Sequence, residues 1–146
     1  TTMPLADARP VAPRPRSDRI QLAVVGAHLT GQPLNVQLQE RGARLVRTAR
    51  TAPGYSFYAL HGTVPAKPGL VFDKTGAGGI EVEIWEMGPA AFGTFVALIP
   101  RPLCIGTLTL DDGSLVKGFL CEPYALEDAT DITAFGGWRA YLAHGS

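Results

Sequence analysis

The sequence predicts an α+β fold, mostly strand with a few short helices, forming one domain over residues 19–146. Three observations carry this. In "IEVEIWEM", apolar Ile80, Val82 and Ile84 alternate with Glu81, Glu83 and Trp85, which is the period of a strand with one core face and one wetter face. "IGTLTLDDGSLVKGFL" joins two strand-like runs through Asp112-Gly113, a dipeptide suited to a hairpin turn. A length of 146 residues with 46% hydrophobic content suffices for one sizeable core.

The elements follow in order. Residues 1–18, "TTMPLADARPVAPRPRSD", hold four prolines and few large apolar side chains, the composition of a linker or tail. Ile20 to Val25 reads as a strand stopped by Gly26. Leu34 and Leu38 stand at i and i+4 within Leu34 to Arg41, with Gly42 beyond, which predicts a short helix. Arg44 to Thr48 and Tyr55 to Leu60 read as a strand pair across the turn Ala52 to Gly54. Lys67 to Phe72 is a loop running into a strand, and Gly76 to Gly79 a flexible corner. Phe92, Phe95, Val96 and Ile99 recur at helical spacing until Pro100 ends the segment. Trp138, Tyr141 and Leu142 mark a last short helix, with Gly145 as its cap.

Charge and cysteine content exclude several classes. Thirteen basic and thirteen acidic side chains cancel without long runs of either sign, so no platform for nucleic acid or anionic lipid is expected. Apolar runs fall short of the roughly 18 residues of a membrane span, which predicts a soluble protein. Cys104 and Cys121 lie in separate apolar segments and read as buried free thiols. No secretory leader pattern is visible, so a cytoplasmic location is expected. Thr1 in place of an initiator methionine suggests a processed chain or a piece of a longer one.

Chemistry is narrowed by what is missing. None of Ser17, Ser56, Ser114 and Ser146 sits in a glycine-flanked elbow. His28, His61 and His144 are too scattered for metal-ligand spacing, and no phosphate or dinucleotide loop occurs, so no metal or cofactor is expected. "GAHLTGQPLN" remains. A glycine directly after a strand lets successive amides of Gly26, Ala27, His28 and Leu29 point outward as a nest for a carboxylate. His28 stands at that rim, where an imidazole exchanges protons near neutral pH; the plainer alternative is a structural hydrogen-bonder.

Other residues divide between bland and functional readings. Tyr55 and Tyr58 are packing residues with a polar tip or ligand clamps. Glu81 and Glu83 are a solvated strand face or, at a pocket mouth, acid/base groups. Trp85 and Trp138 read as core or interface. Lys117, between Val116 and Phe119, asks for a wet pocket or a charged partner such as Glu122.

The strings "LAVVGAHLTGQPLN", "ERGARLVRTARTAPGYSFYAL", "KPGLV", "IEVEIWE", "IGTLTLDDGSLVKGFLCE" and "DITAFGGWRAYL", in this order across residues 20 to 143, resemble the C-terminal domain of allophanate hydrolase. The resemblance implies a fold similar to γ-glutamyl cyclotransferases: a small, mixed, barrel-like sheet with short helices and a pocket beside the first strand's glycine turn. It also implies an upstream amidase domain or subunit, with residues 1–18 as the connecting linker or the tail of a stand-alone relative.

In that family the amidase half converts allophanate to N-carboxycarbamate and the C-terminal domain assists its decarboxylation. On that reading the Gly26, Ala27 and Leu29 amides anchor one carboxylate of a small dicarboxylate-like substrate. His28 supplies the proton, Lys67, Lys117 or Arg139 offsets the second charge, and Asn35 and Tyr58 complete the binding site. Cyclotransferase chemistry needs an acidic base near "FGTFVALIP", and no Asp or Glu occurs from Met87 to Leu110. The family pattern carries a histidine after the asparagine of "PLN", where this sequence has Val36. That departure, with the aromatics Tyr124, Phe135 and Trp138, motivates the alternative of a non-catalytic assembly or carboxylate-binding module, including a homodimer.

Overall fold

A computed structural model describes residues 18–145, so the proline-rich segment read as a linker or tail lies, apart from Asp18, outside the described residues. The elements are β1 (Ile20–Val24), α1 (Asn35–Gln39), β2 (Arg44–Arg50), β3 (Gly54–Ala59), β4 (Pro68–Gly76), β5 (Glu81–Met87), α2 (Pro89–Ala97), β6 (Leu103–Thr109), β7 (Leu115–Cys121), β8 (Thr130–Asp131) and α3 (Trp138–His144). The class is α+β, as the sequence predicts.

The strands form two sheets, one of five in the order β2-β5-β1-β7-β6 and one of three in the order β4-β3-β8. β1 lies at the centre of the larger sheet, antiparallel to β5 with Ala23 opposite Ile84 and parallel to β7 with Leu22 opposite Lys117. Its consecutive residues Leu22, Ala23 and Val24 are all inaccessible, because a central strand covered on both faces tolerates apolar side chains at every position. β4 lies against β7, and a Cβ on Gly69 would come 2.9 Å from Cys121 Sγ, so the two sheets meet closely there. Two sheets and no closed barrel are formed; the outer strands of the larger sheet, β2 and β6, are joined just past their ends by an isolated antiparallel bridge of Thr51 with Leu110.

Two local expectations are corrected. β2 and β3 do not pair with each other: β2 runs antiparallel to β5, and β3 lies between β4 and β8. The turn through Ala52 to Gly54 moves the chain from one sheet to the other, with Gly54 in a positive-φ conformation. The two strands live in different surroundings, β2 being an exposed edge and β3 almost wholly buried. In β5 the second face is not wet: Glu83 and Trp85 are as buried as Val82 and Ile84. Gly145 caps α3 as expected, at φ −81° in the right-handed region.

The other elements match. β6 and β7 form the hairpin with Leu103 opposite Cys121, turning at Gly113 with φ 85°. α2 begins on Pro89 and buries Phe95 completely. Both cysteines are free, Cys121 buried and Cys104 half-buried. Of the aromatics offered as an interaction surface, Tyr124 is exposed, Phe135 half-buried and Trp138 buried. No helix among the described residues is long and apolar enough to cross a membrane.

Candidate functional site

The turn after β1 is built from short-range hydrogen bonds that bind it to α1. Leu29 N–H donates to Gly26 O at 3.0 Å, Leu34 N–H to Ala27 O at 2.8 Å, and Asn35 Nδ2 to His28 O at 2.8 Å. Gly26 is required here by proximity and not by a positive φ, since a Cβ at that position would overlap the Pro68 ring. The nest is therefore smaller than the sequence suggests. The Leu29 amide is spent within the turn, and Leu29 itself is a core side chain. Among the described residues the Ala27 and His28 amides, like that of Gly26, have no protein acceptor and so are free to meet an anion.

His28 is buried. Its ring stacks on Phe119 at 5.1 Å and meets Phe95 edge-on at 5.0 Å. Nε2 lies 2.8 Å from Gln37 Oε1 on α1; the amide oxygen accepts, so Nε2 carries the hydrogen. Burial pushes the imidazole pKa down, the Gln37 contact pushes it up, the Lys67 charge pushes it down again, and the net is below the ordinary 6.5. The ring is thus neutral at pH 7.

Lys67 sits just before β4, its N–H held by Thr63 Oγ1 at 2.9 Å and its side chain largely buried. Nζ reaches only Pro65 O, at 3.5 Å, and no carboxylate among the described residues pairs with it. Burial lowers its pKa from the usual lysine value.

Two spaces meet at these residues. A cavity of about 10 Å³, room for one water-sized group, is lined by Val25, Gly26, Ala27, His28, Lys67, Pro68, Leu70, Leu103, Phe119 and Leu120. A hollow of about 200 Å³ that shares His28 and Lys67 with it is lined by His28, Leu34, Gln37, Val64, Pro65, Lys67, Leu98, Ile99 and Pro100. Neither lining includes a carboxylate, so an anion entering here meets a cation and backbone donors without a competing negative charge.

The sequence candidates therefore separate. The structure groups Gly26, Ala27, His28 and Lys67 around one cavity, and Asn35 supports them by holding the turn. Lys117 is exposed on β7 and donates to Thr107 Oγ1 at 2.9 Å; that hydroxyl, not Glu122, is its partner, and it lines neither space. Tyr58 sits in β3 opposite Asp131 and also lines neither. Arg139 is engaged elsewhere, bonded to Glu83 Oε2 at 2.7 Å and to Thr30 O at 3.0 Å. Val36, the departure from the family pattern, is 52% exposed on the outer side of α1 and outside both spaces.

Sequence reading missed Gln37 and the two phenylalanines around the ring. It also missed the burial of Glu83, whose carboxylate accepts from Thr30, Trp85 and Arg139 and so fixes the turn that carries His28. Burial raises the Glu83 pKa, but the Arg139, Thr30 and Trp85 donors outweigh it and hold the group below its ordinary range. A separate open groove of about 550 Å³ lies near Leu60, His61, Tyr124 and Asp128 and holds none of the catalytic or substrate-binding candidates.

Comparison with known proteins bears out the family resemblance. Residues 20–143 match the model of the allophanate hydrolase C-terminal domain. The urea amidolyase of Saccharomyces cerevisiae is 42% identical over 131 residues, which is 86% of this chain and 7% of that protein. A Kluyveromyces lactis allophanate hydrolase structure superposes with a TM-score of 0.82 at 40% identity, covering 87% of this chain and 21% of that one. A protein specific to uropathogenic E. coli superposes at 0.79 and 34% identity over 86% of this chain and 97% of its own length. The chain thus spans a small fraction of the large relatives and nearly all of a compact one, and it belongs to the family of allophanate hydrolase C-terminal domains.

Proposed function

We propose that this domain works beside an amidase in urea breakdown, binding N-carboxycarbamate and assisting its decarboxylation. The observation that carries this reading is a buried Lys67 ammonium without a carboxylate partner, lining the same cavity as the free amides of Ala27 and His28. A small dianion suits that arrangement. One carboxylate oxygen fits the 10 Å³ cavity and meets the two amides, while the rest of the molecule occupies the 200 Å³ hollow. The apolar rim of Leu34, Val64, Leu98 and Ile99 leaves the second carboxylate poorly solvated, which favours loss of its charge as carbon dioxide departs.

The chemistry needs one proton. In N-carboxycarbamate the bond between nitrogen and one carboxyl carbon breaks, its electron pair stays on nitrogen, and a proton joins that nitrogen to give carbamate and carbon dioxide. Two groups at the hollow carry transferable protons, His28 and Lys67.

The test generates N-carboxycarbamate in situ with an amidase acting on allophanate and follows carbon dioxide release. Adding this chain is expected to speed release beyond the unaided decay, and malonate is expected to inhibit competitively. Unchanged release at saturating chain would contradict the reading and leave the second one, a carboxylate-binding module without chemistry of its own.

A further inference from the structure

We propose that Lys67, rather than His28, delivers the proton to the substrate nitrogen; this rests on the decarboxylation reading above. The linings of both spaces contain no carboxyl, hydroxyl or thiol side chain, so a side-chain donor is one of these two residues. His28 is poorly placed. Its Nε2–H is already given to Gln37 Oε1 at 2.8 Å, and its ring is held between Phe95 and Phe119, so turning it toward a ligand would break that bond and open the aromatic contacts. A neutral imidazole that gave up its N–H would also become an imidazolate, making it a far weaker acid than an ammonium.

Lys67 has the opposite properties. Its Nζ has three hydrogens and a single long contact, to Pro65 O at 3.5 Å, and its flexible stem lines both spaces. The charge that offsets the dianion therefore stands where the nitrogen becomes basic. Burial makes that ammonium easier to deprotonate than a surface lysine. In the step the carbon–nitrogen bond breaks, carbon dioxide leaves, and the nitrogen takes the proton from Lys67 Nζ, leaving a neutral amine. Water entering through the open hollow returns the proton. His28 becomes a positioning residue that keeps the Ala27 and His28 amides directed at the anchored carboxylate.

The experiment compares the full wild-type chain with Lys67→Arg, Lys67→Ala and His28→Asn, measuring malonate affinity by calorimetry and carbon dioxide release in the amidase-coupled assay. Lys67→Arg keeps the charge without a readily transferable proton, so malonate affinity is expected within about threefold of wild type and the rate at least tenfold lower. Lys67→Ala is expected to lose both and to regain rate with added ethylammonium but not guanidinium, a result that stands if the arginine variant fails to fold. His28→Asn is expected to weaken malonate binding while keeping measurable turnover at saturation. Lys67→Arg turning over at the wild-type rate, or an alanine variant that ethylammonium does not rescue, would overturn the assignment of Lys67 alone. A wild-type chain that gives no acceleration would overturn the decarboxylation reading with it.

Discussion

Glu83 Oε1 accepts both the main-chain N–H of Thr30 at 2.8 Å and its hydroxyl at 3.0 Å, tying the turn that carries His28 to the middle of β5. The same oxygen takes Trp85 Nε1–H at 3.1 Å, and Oε2 takes Arg139 at 2.7 Å, so one carboxylate joins the turn, the sheet and α3. Removing it leaves three sets of donors without their acceptor. Glu83→Ala is expected to destabilise the domain by about 2–4 kcal/mol, the lower part of the range for a broken buried pair because Arg139 keeps some solvent contact. Arg139→Ala leaves the Thr30 and Trp85 bonds in place and is expected to cost about 1 kcal/mol. Urea denaturation of both variants measures the difference; equal losses would show that the Thr30 bonds carry no weight.

Gly26 and Pro68 touch with no room between them, where the end of β1 meets the start of β4. Gly26→Ala forces the proline ring, and Lys67 beside it, away from the turn. The expected cost is about 1–3 kcal/mol from overpacking, with malonate binding weakened because the Lys67 ammonium moves relative to the Ala27 and His28 amides. Denaturant midpoints together with malonate calorimetry check this. A stable variant with unchanged affinity would mean that the close approach does not set the site.

His28 gives the protein a pH signature. Its folded pKa lies below the ordinary 6.5, so between the two values the unfolded chain binds more protons than the folded one. Stability therefore rises with pH through that window and falls as the solution is made more acid. Thermal melts from pH 4 to 7 are expected to show this slope, reduced in His28→Asn. Identical slopes in the two proteins would place the titration on other groups.

The fold was legible wherever the pattern was local. The Asp112-Gly113 turn announces its hairpin because residue type and register are set within a few positions, and the helical spacing of Phe92, Phe95, Val96 and Ile99 before Pro100 announces α2 for the same reason. The partnership of β2 with β5, and of β1 with the parallel β7, depends on segments tens of residues apart, and no local signal distinguishes them from the hairpin that Ala52 to Gly54 suggests. Glu83 looked wet because it alternates with apolar neighbours. It is buried because Thr30, Trp85 and Arg139 satisfy it, and those partners come from three separate stretches of chain. His28 was visible through its glycine turn. Gln37, which fixes its tautomer, was not, since the nine-residue separation becomes a contact only once α1 folds back over the turn.

The central claim, that the turn after β1 and Lys67 together hold a small dianion, is tested most directly by titrating ¹⁵N-labelled protein with malonate and following the amide resonances. The account predicts saturable shifts that are largest at the Ala27 and His28 amides and at the Gln37 side chain, and that vanish in Lys67→Ala. Saturable shifts confined to other surfaces, such as the arginines of β2, or no saturable change at all, would contradict it.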